Sequence, residues 1–141
     1  MKSITLIGLA GLGLGAAHLW RAEERHREEK QLEFVKLHAD ICRGISGSEI
    51  LSDTVWPGLD HAETAKRLTA NRWMTLWGAM LRLGYYSGGS LREALDTFMG
   101  LESNRRYWES ARQRRRATAR DKYDLLLNDL AADAYEEAST Q

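Results

Sequence analysis

Residues Ser3 to Trp20 carry no charged side chain, and Arg21 to Lys30 carry almost nothing else. That boundary constrains the fold more than any other feature of the chain. A helix over these eighteen uncharged positions would rise about 27 Å, close to the roughly 30 Å of hydrocarbon that a membrane span must cross. Its apolar content comes from Ile4, Leu6, Ile7, Leu9, Leu12, Leu14 and Leu19, diluted by four glycines. Trp20 stands where an interfacial aromatic belongs, with Arg21 directly behind it. The reading is a single-pass anchor over residues 1–20. The alternative is a cleaved secretory signal, with Gly15-Ala16-Ala17 as its small-residue cleavage site and a secreted product. Basic residues are heavier after the run (Arg21, Arg25, Arg27, Lys30) than before it (Lys2), which puts the bulk of an anchored protein in the cytoplasm of a cell membrane. Gly11 and Gly15, one helical turn apart, would let two anchors pack closely as a homodimer. Gly11-x-Gly13-x-x-Ala16 also fits a relaxed dinucleotide fingerprint, but the charged helical pattern that follows is not the βαβ unit such a loop needs.

The remaining residues suffice for one small domain. Leu, Ala, Arg and Glu dominate, Pro57 is the sole proline, and no run of β-branched alternation occurs. The fold class is therefore mainly α: an N-terminal transmembrane or stalk helix followed by a small irregular helical bundle. Residues 21–43 read as a charged stalk helix with pairs such as Glu23 and Arg27 at i,i+4 and a packed end from Leu32 onward, stopped by Gly44 and Gly47. Residues 44–135 form the helical domain, and 136–141 a frayed tail. Within the domain, Ser48 to Val55 makes a short helix and Trp56-Pro57-Gly58 a loop. Asp60-x-x-Glu63 caps a helix that Gly84 closes. Ser90-x-x-Glu93 reads as a second capping box, a break falls near Gly100 to Asn104, and Thr118-x-x-Asp121 caps the last helix.

Aromatic residues concentrate in Asn71-Arg72-Trp73-Met74-Thr75-Leu76-Trp77. Helical spacing puts Trp73, Trp77 and Met80 on one face, and large aromatics dominate burial in small domains. The expected core is Trp73, Trp77, Met80, Leu95, Phe98 and Trp108. A second cluster, Asn104-Arg105-Arg106-Tyr107-Trp108, again sets arginine beside tryptophan, a favourable cation–π pairing. Charge is uneven beyond it: residues 102–122 carry a net +5 and residues 123–141 a net −5. Arg112, Arg114, Arg115 and Arg116 then have three readings: pairing with the acidic segment, contact with anionic lipid head groups, or contact with nucleic-acid phosphates. The last is disfavoured, since no zinc knuckle or ribonucleoprotein signature accompanies the basic residues.

His38 and Cys42 share a helix face at i,i+4, which is the adjacency a histidine-activated thiolate would need; a small cysteine on a packing face is the commoner meaning. No His, Cys or carboxylate grouping has metal spacing, and no phosphate loop, nucleophile elbow or carboxylate pair is present. No catalytic residue, metal or cofactor is expected, and the chain reads as a non-enzyme. The candidate interaction residues are Asn71, Arg72, Arg105, Arg106, Arg112, Arg114, Arg115 and Arg116, offered to a protein partner of unknown identity.

Taken together, Asn71-Arg72-Trp73-x-x-Leu76-Trp77, Arg82-Leu83-Gly84, Arg105-Arg106-Tyr107-Trp108 and the terminal His18-Leu19-Trp20 of the apolar run carry a likeness. Over about residues 1–125 the chain resembles short actinobacterial proteins that share a domain of unknown function. The resemblance implies an anchored, helical architecture and brings no activity, cofactor or catalytic residue. The Arg112–Arg116 run falls outside its pattern.

Overall fold

A computed structural model of the chain describes residues 2–140, with side chains from residue 17 onward. All regular structure among the described residues is α-helical, in six helices: α1 (Lys2–Ser46), α2 (Glu49–Val55), α3 (His61–Arg82), α4 (Gly88–Met99), α5 (Glu102–Ala117) and α6 (Lys122–Ser139). The chain divides into two units, residues 1–34 and 35–141.

The first unit is the leading part of α1. From Ala17 to Phe34 its described side chains are exposed, Gln31 alone being half-buried. Glutamate, arginine and lysine are good helix formers, so a solvated helix here is consistent with composition. Among the described residues no helix is long and apolar enough to cross a membrane. Most of the expected anchor, with Gly11 and Gly15, lies outside the described side chains. The expected packed end starts later than Leu32. Leu32 and Phe34 are exposed, as are Leu37 and Ile41, whereas Val35, His38 and Ala39 are half-buried and Cys42 is buried.

The second unit contains the bundle. Asp60 caps α3 by accepting from the backbone N–H groups of Ala62 and Glu63, as its spacing predicts. α3 ends where Gly84 takes a left-handed φ of 76°, a conformation glycine adopts without a Cβ penalty. Two caps differ from expectation. The box before α4 is formed by Ser87 and Ser90, not Ser90 and Glu93, because Gly88 and Gly89 extend the helix backwards ahead of Ser90. Asp121 is the N-cap of α6, and Thr118 instead ends α5. Both cases offered two capping residues three positions apart, and spacing alone does not choose between them. The break between α4 and α5 is correspondingly narrow, only Gly100 and Leu101. The expected frayed tail is largely helical, to Ser139.

α4 packs on α6, and α3 packs on both α5 and α6. Their shared core holds Met74, Trp77, Leu91, Leu95, Phe98, Met99, Tyr107, Trp108 and Leu127. The Trp77 and Phe98 rings meet edge to face with centroids 5.3 Å apart, the geometry that aromatic quadrupoles favour. Met80 packs partly buried against this cluster. Arg82, in the last turn of α3, is held by Asp121 at 2.7 Å and by Asp124, fixing the end of α3 to the start of α6. That guanidinium, above all other influences, draws the Asp121 carboxyl down to about 2. No described side chain of α1 belongs to the core cluster.

Candidate functional site

The end of α1 within the second unit meets α3 through a polar cluster. His38 Nε2 lies 3.2 Å from Asn71 Nδ2, 3.2 Å from Thr75 Oγ1 and 3.6 Å from Cys42 Sγ. Asn71 Oδ1 in turn accepts a 2.7 Å hydrogen bond from the hydroxyl of Tyr107, a fully buried side chain on α5. Arg115 Nη1 approaches the same hydroxyl at 3.4 Å. The network thus runs from α1 through α3 to α5, and Asn71 is its hinge. An amide N–H pointing at Nε2 requires that nitrogen to accept, so His38 is read as neutral. The electrostatics agree: burial, then Arg115, then Arg72, hold its pKa below the ordinary histidine value.

The thiol follows the same logic. Burial raises the Cys42 pKa, with Arg72 and Asn71 opposing. A thiolate–imidazolium pair needs the cysteine lowered and the histidine raised, and both are moved the other way. Asn71, Thr75 and Cys42 all approach the same ring nitrogen of His38, and these contacts join α1 to α3.

Both tryptophan-centred motifs take their places around this network. In the second, Asn104 Nδ2 donates to the Phe98 carbonyl at 2.9 Å and Arg105 Nη1 to the Met99 carbonyl at 2.6 Å, satisfying the open C-terminal end of α4. Arg106 pairs with Glu102 on the surface, and Trp108 is core. In the first motif, Asn71 is the hinge and Trp77 is core. Trp73 is not: it is 49 % exposed against 6 % for Trp77, one turn along α3. This corrects the expectation that the two tryptophans share the core. Their rings touch, with centroids 5.7 Å apart, but beside Trp73 the neighbouring helix leaves a groove. That groove, about 500 Å³, is lined by Trp73 and Trp77 with Lys66, Ala94, Phe98 and Leu101. On the other side of the same indole lies a smaller pocket of about 260 Å³, between Trp73, Leu76 and Arg72 of α3 and Val35, His38 and Ala39 of α1.

The arginine stretch is largely engaged with the protein itself. Arg112 lies over the Tyr135 ring at 5.9 Å, Arg116 pairs with Asp129 at 3.3 Å, and Arg115 reaches Tyr107. Asp129 and Tyr135 belong to α6, so the segment read as an acidic counterweight is a core helix facing α5. Arg114 is exposed. The described residues contain no group of three or more potential metal ligands.

The motifs that define this geometry span the chain, and so does its family likeness. The chain belongs to the family of unknown function DUF6082. Its family model matches residues 2–141, taking in the Asn71 and Tyr107 motifs and the helix before them. No curated protein and no solved structure matches the chain. In this DUF6082 member, sequence reasoning located Asn71, Arg72 and Arg105 as polar residues beside tryptophans, but not what they do. It missed His38, Thr75 and Tyr107 as partners. The Tyr107–Asn71 bond joins residues 36 apart, for which no local signal exists.

Proposed function

We propose that this chain is a membrane-anchored helical interaction module. Residues 3–20 are its anchor, the bulk lies on the cytoplasmic side, and the Trp73 groove is its docking surface for a partner protein. The observation that carries the docking reading is the exposure of Trp73 itself. A large aromatic left half-open between a groove and a pocket, beside a fully packed twin, is the kind of anchor point that dominates binding energy at interfaces. Leu101, 61 % exposed on the groove wall, extends the apolar surface. The anchor reading rests on the uncharged run, its flanking Trp20–Arg21 step, and a helix unbroken from Lys2. The internal engagement of Arg105, Arg112, Arg115 and Arg116 favours a protein partner over a lipid or nucleic-acid surface.

Two experiments separate the parts. Membranes washed with carbonate should retain the full-length chain at its uncleaved mass. A soluble form beginning near Ala16 to His18 would refute the anchor and favour secretion. In affinity capture, Trp73→Ala should lose the co-purifying protein while remaining folded, with a smaller loss of stability than Trp77→Ala. Retention of the same protein at parental yield would refute the groove.

A further inference from the structure

The smaller pocket poses a charge problem. Arg72 is half-buried on its wall, and among the described residues no carboxylate, hydroxyl or carbonyl pairs with its guanidinium. No acidic residue lines the pocket. Arg115 reinforces the field rather than cancelling it: both guanidiniums act on His38 with the same sign, and Arg115 Nε is itself buried without a partner. A cation drawn partly out of water without a counter-charge is costly, and the described residues offer none. The rest of the lining is mostly carbon, from Val35, Ala39, Leu76 and the face of Trp73, with the His38 ring and Thr69, whose hydroxyl donates to the Ala65 carbonyl, as its other polar groups. A volume of about 260 Å³ lies at the small end of ligand pockets, which are mostly apolar with a few convergent polar groups.

We propose that this pocket is a binding site for a small organic carboxylate, its head on the Arg72 guanidinium and its apolar body against Trp73, Val35 and Leu76. The planar fork of an arginine matches a carboxylate through two parallel N–H···O bonds. One lining guanidinium balances one negative charge. Inorganic phosphate has no apolar body to set against Val35, Leu76 and the Trp73 face. The site lies wholly within the second unit and does not depend on the anchor, and it shares only Trp73 and Thr69 with the lining of the docking groove.

Benzoate is a suitable probe, with benzamide as its neutral counterpart and inorganic phosphate as the bare anion. Titration of purified full-length protein is followed by NMR at the Trp73 indole N–H and the His38 ring. Benzoate should saturate at millimolar concentration or below and bind at least about tenfold more tightly than either benzamide or phosphate. It should also raise the pH at which His38 titrates, because the bound charge offsets Arg72 and Arg115. Arg72→Gln should bring benzoate down to the affinity of benzamide without lowering the unfolding midpoint, since Arg72 has no hydrogen bond to lose among the described residues. Equal binding of benzoate and benzamide by the parent, or no saturable shift with either, would overturn the proposal without recourse to any variant. Phosphate binding as tightly as benzoate would remove the apolar half of the site. Undiminished benzoate affinity in a folded Arg72→Gln protein would remove Arg72.

Discussion

Replacing Tyr107 by Phe deletes one oxygen and leaves the packing of the ring intact. That oxygen donates to Asn71 Oδ1 at 2.7 Å and receives Arg115 at 3.4 Å, in a side chain with no exposed surface. A typical internal hydrogen bond contributes a net ~0.5–1.5 kcal/mol, and stranding a buried acceptor costs ~1–3 kcal/mol. Asn71 is only half-buried, so water recovers part of the second cost. The expected loss is about 2 kcal/mol. With a urea m-value of ~1–3 kcal/mol/M, the midpoint should fall by about 1 M at unchanged slope. Equilibrium urea denaturation followed by tryptophan fluorescence reads this directly. A cycle with Asn71→Ala should give a coupling of about 1 kcal/mol, because each single change already breaks the shared bond. A Tyr107→Phe midpoint equal to the parent, or full additivity with Asn71→Ala, would refute the claim that this bond joins α3 to α5.

Three further outcomes follow from the same geometry. Trp77→Ala should cost about 3–5 kcal/mol by opening the core against Phe98, whereas Trp73→Ala should cost less than half as much; equal losses in thermal melts would put both rings in the core. The Asp121 carboxyl sits at about 2 when folded, against an ordinary value near 3.8, so its contribution is present above about pH 4 and is lost as pH falls towards 2. Solvent screens this partly exposed pair to about 1 kcal/mol or less, and Arg82→Gln should flatten the acid limb of the stability profile; an unchanged limb would remove Arg82 as its cause. His38 is also lowered when folded, so stability should be full above about pH 6.5 and decline as pH falls through the lower folded value, and His38→Gln should abolish that step.

The helical class, the Asp60 cap and the Gly84 stop were legible because each is a local signal with one physical cause. Caps before α4 and α6 were misplaced where two capping residues stood three apart, and only the glycines at 88 and 89 or the Arg82 partnership of Asp121 decide between them. Periodicity gives the direction of a buried face but not its extent. Trp73 and Trp77 point the same way, yet only Trp77 meets Phe98. The same limit applies to α1, where the apolar residues Phe34, Leu37 and Ile41 are exposed and a histidine takes the contact. His38, Asn71 and Tyr107 come together across three helices, and nothing in the spacing of any one of them announces the others. The Arg112–Arg116 run looked like a free basic patch because sequence shows charge and not partners. Folding brings it against Asp129 and Tyr135.

The exposed face of Trp73 is the proposed docking point for a partner protein. A photo-crosslinking phenylalanine analogue placed at position 73 of the full-length chain, expressed in its native membranes, tests it most directly, with the same analogue at the exposed, groove-free position of Arg106 as reference. A discrete membrane-fraction adduct to a single protein is expected from position 73 and none from position 106. An identical adduct pattern from both positions, or no adduct from position 73 while the protein remains folded and membrane-bound, would contradict it.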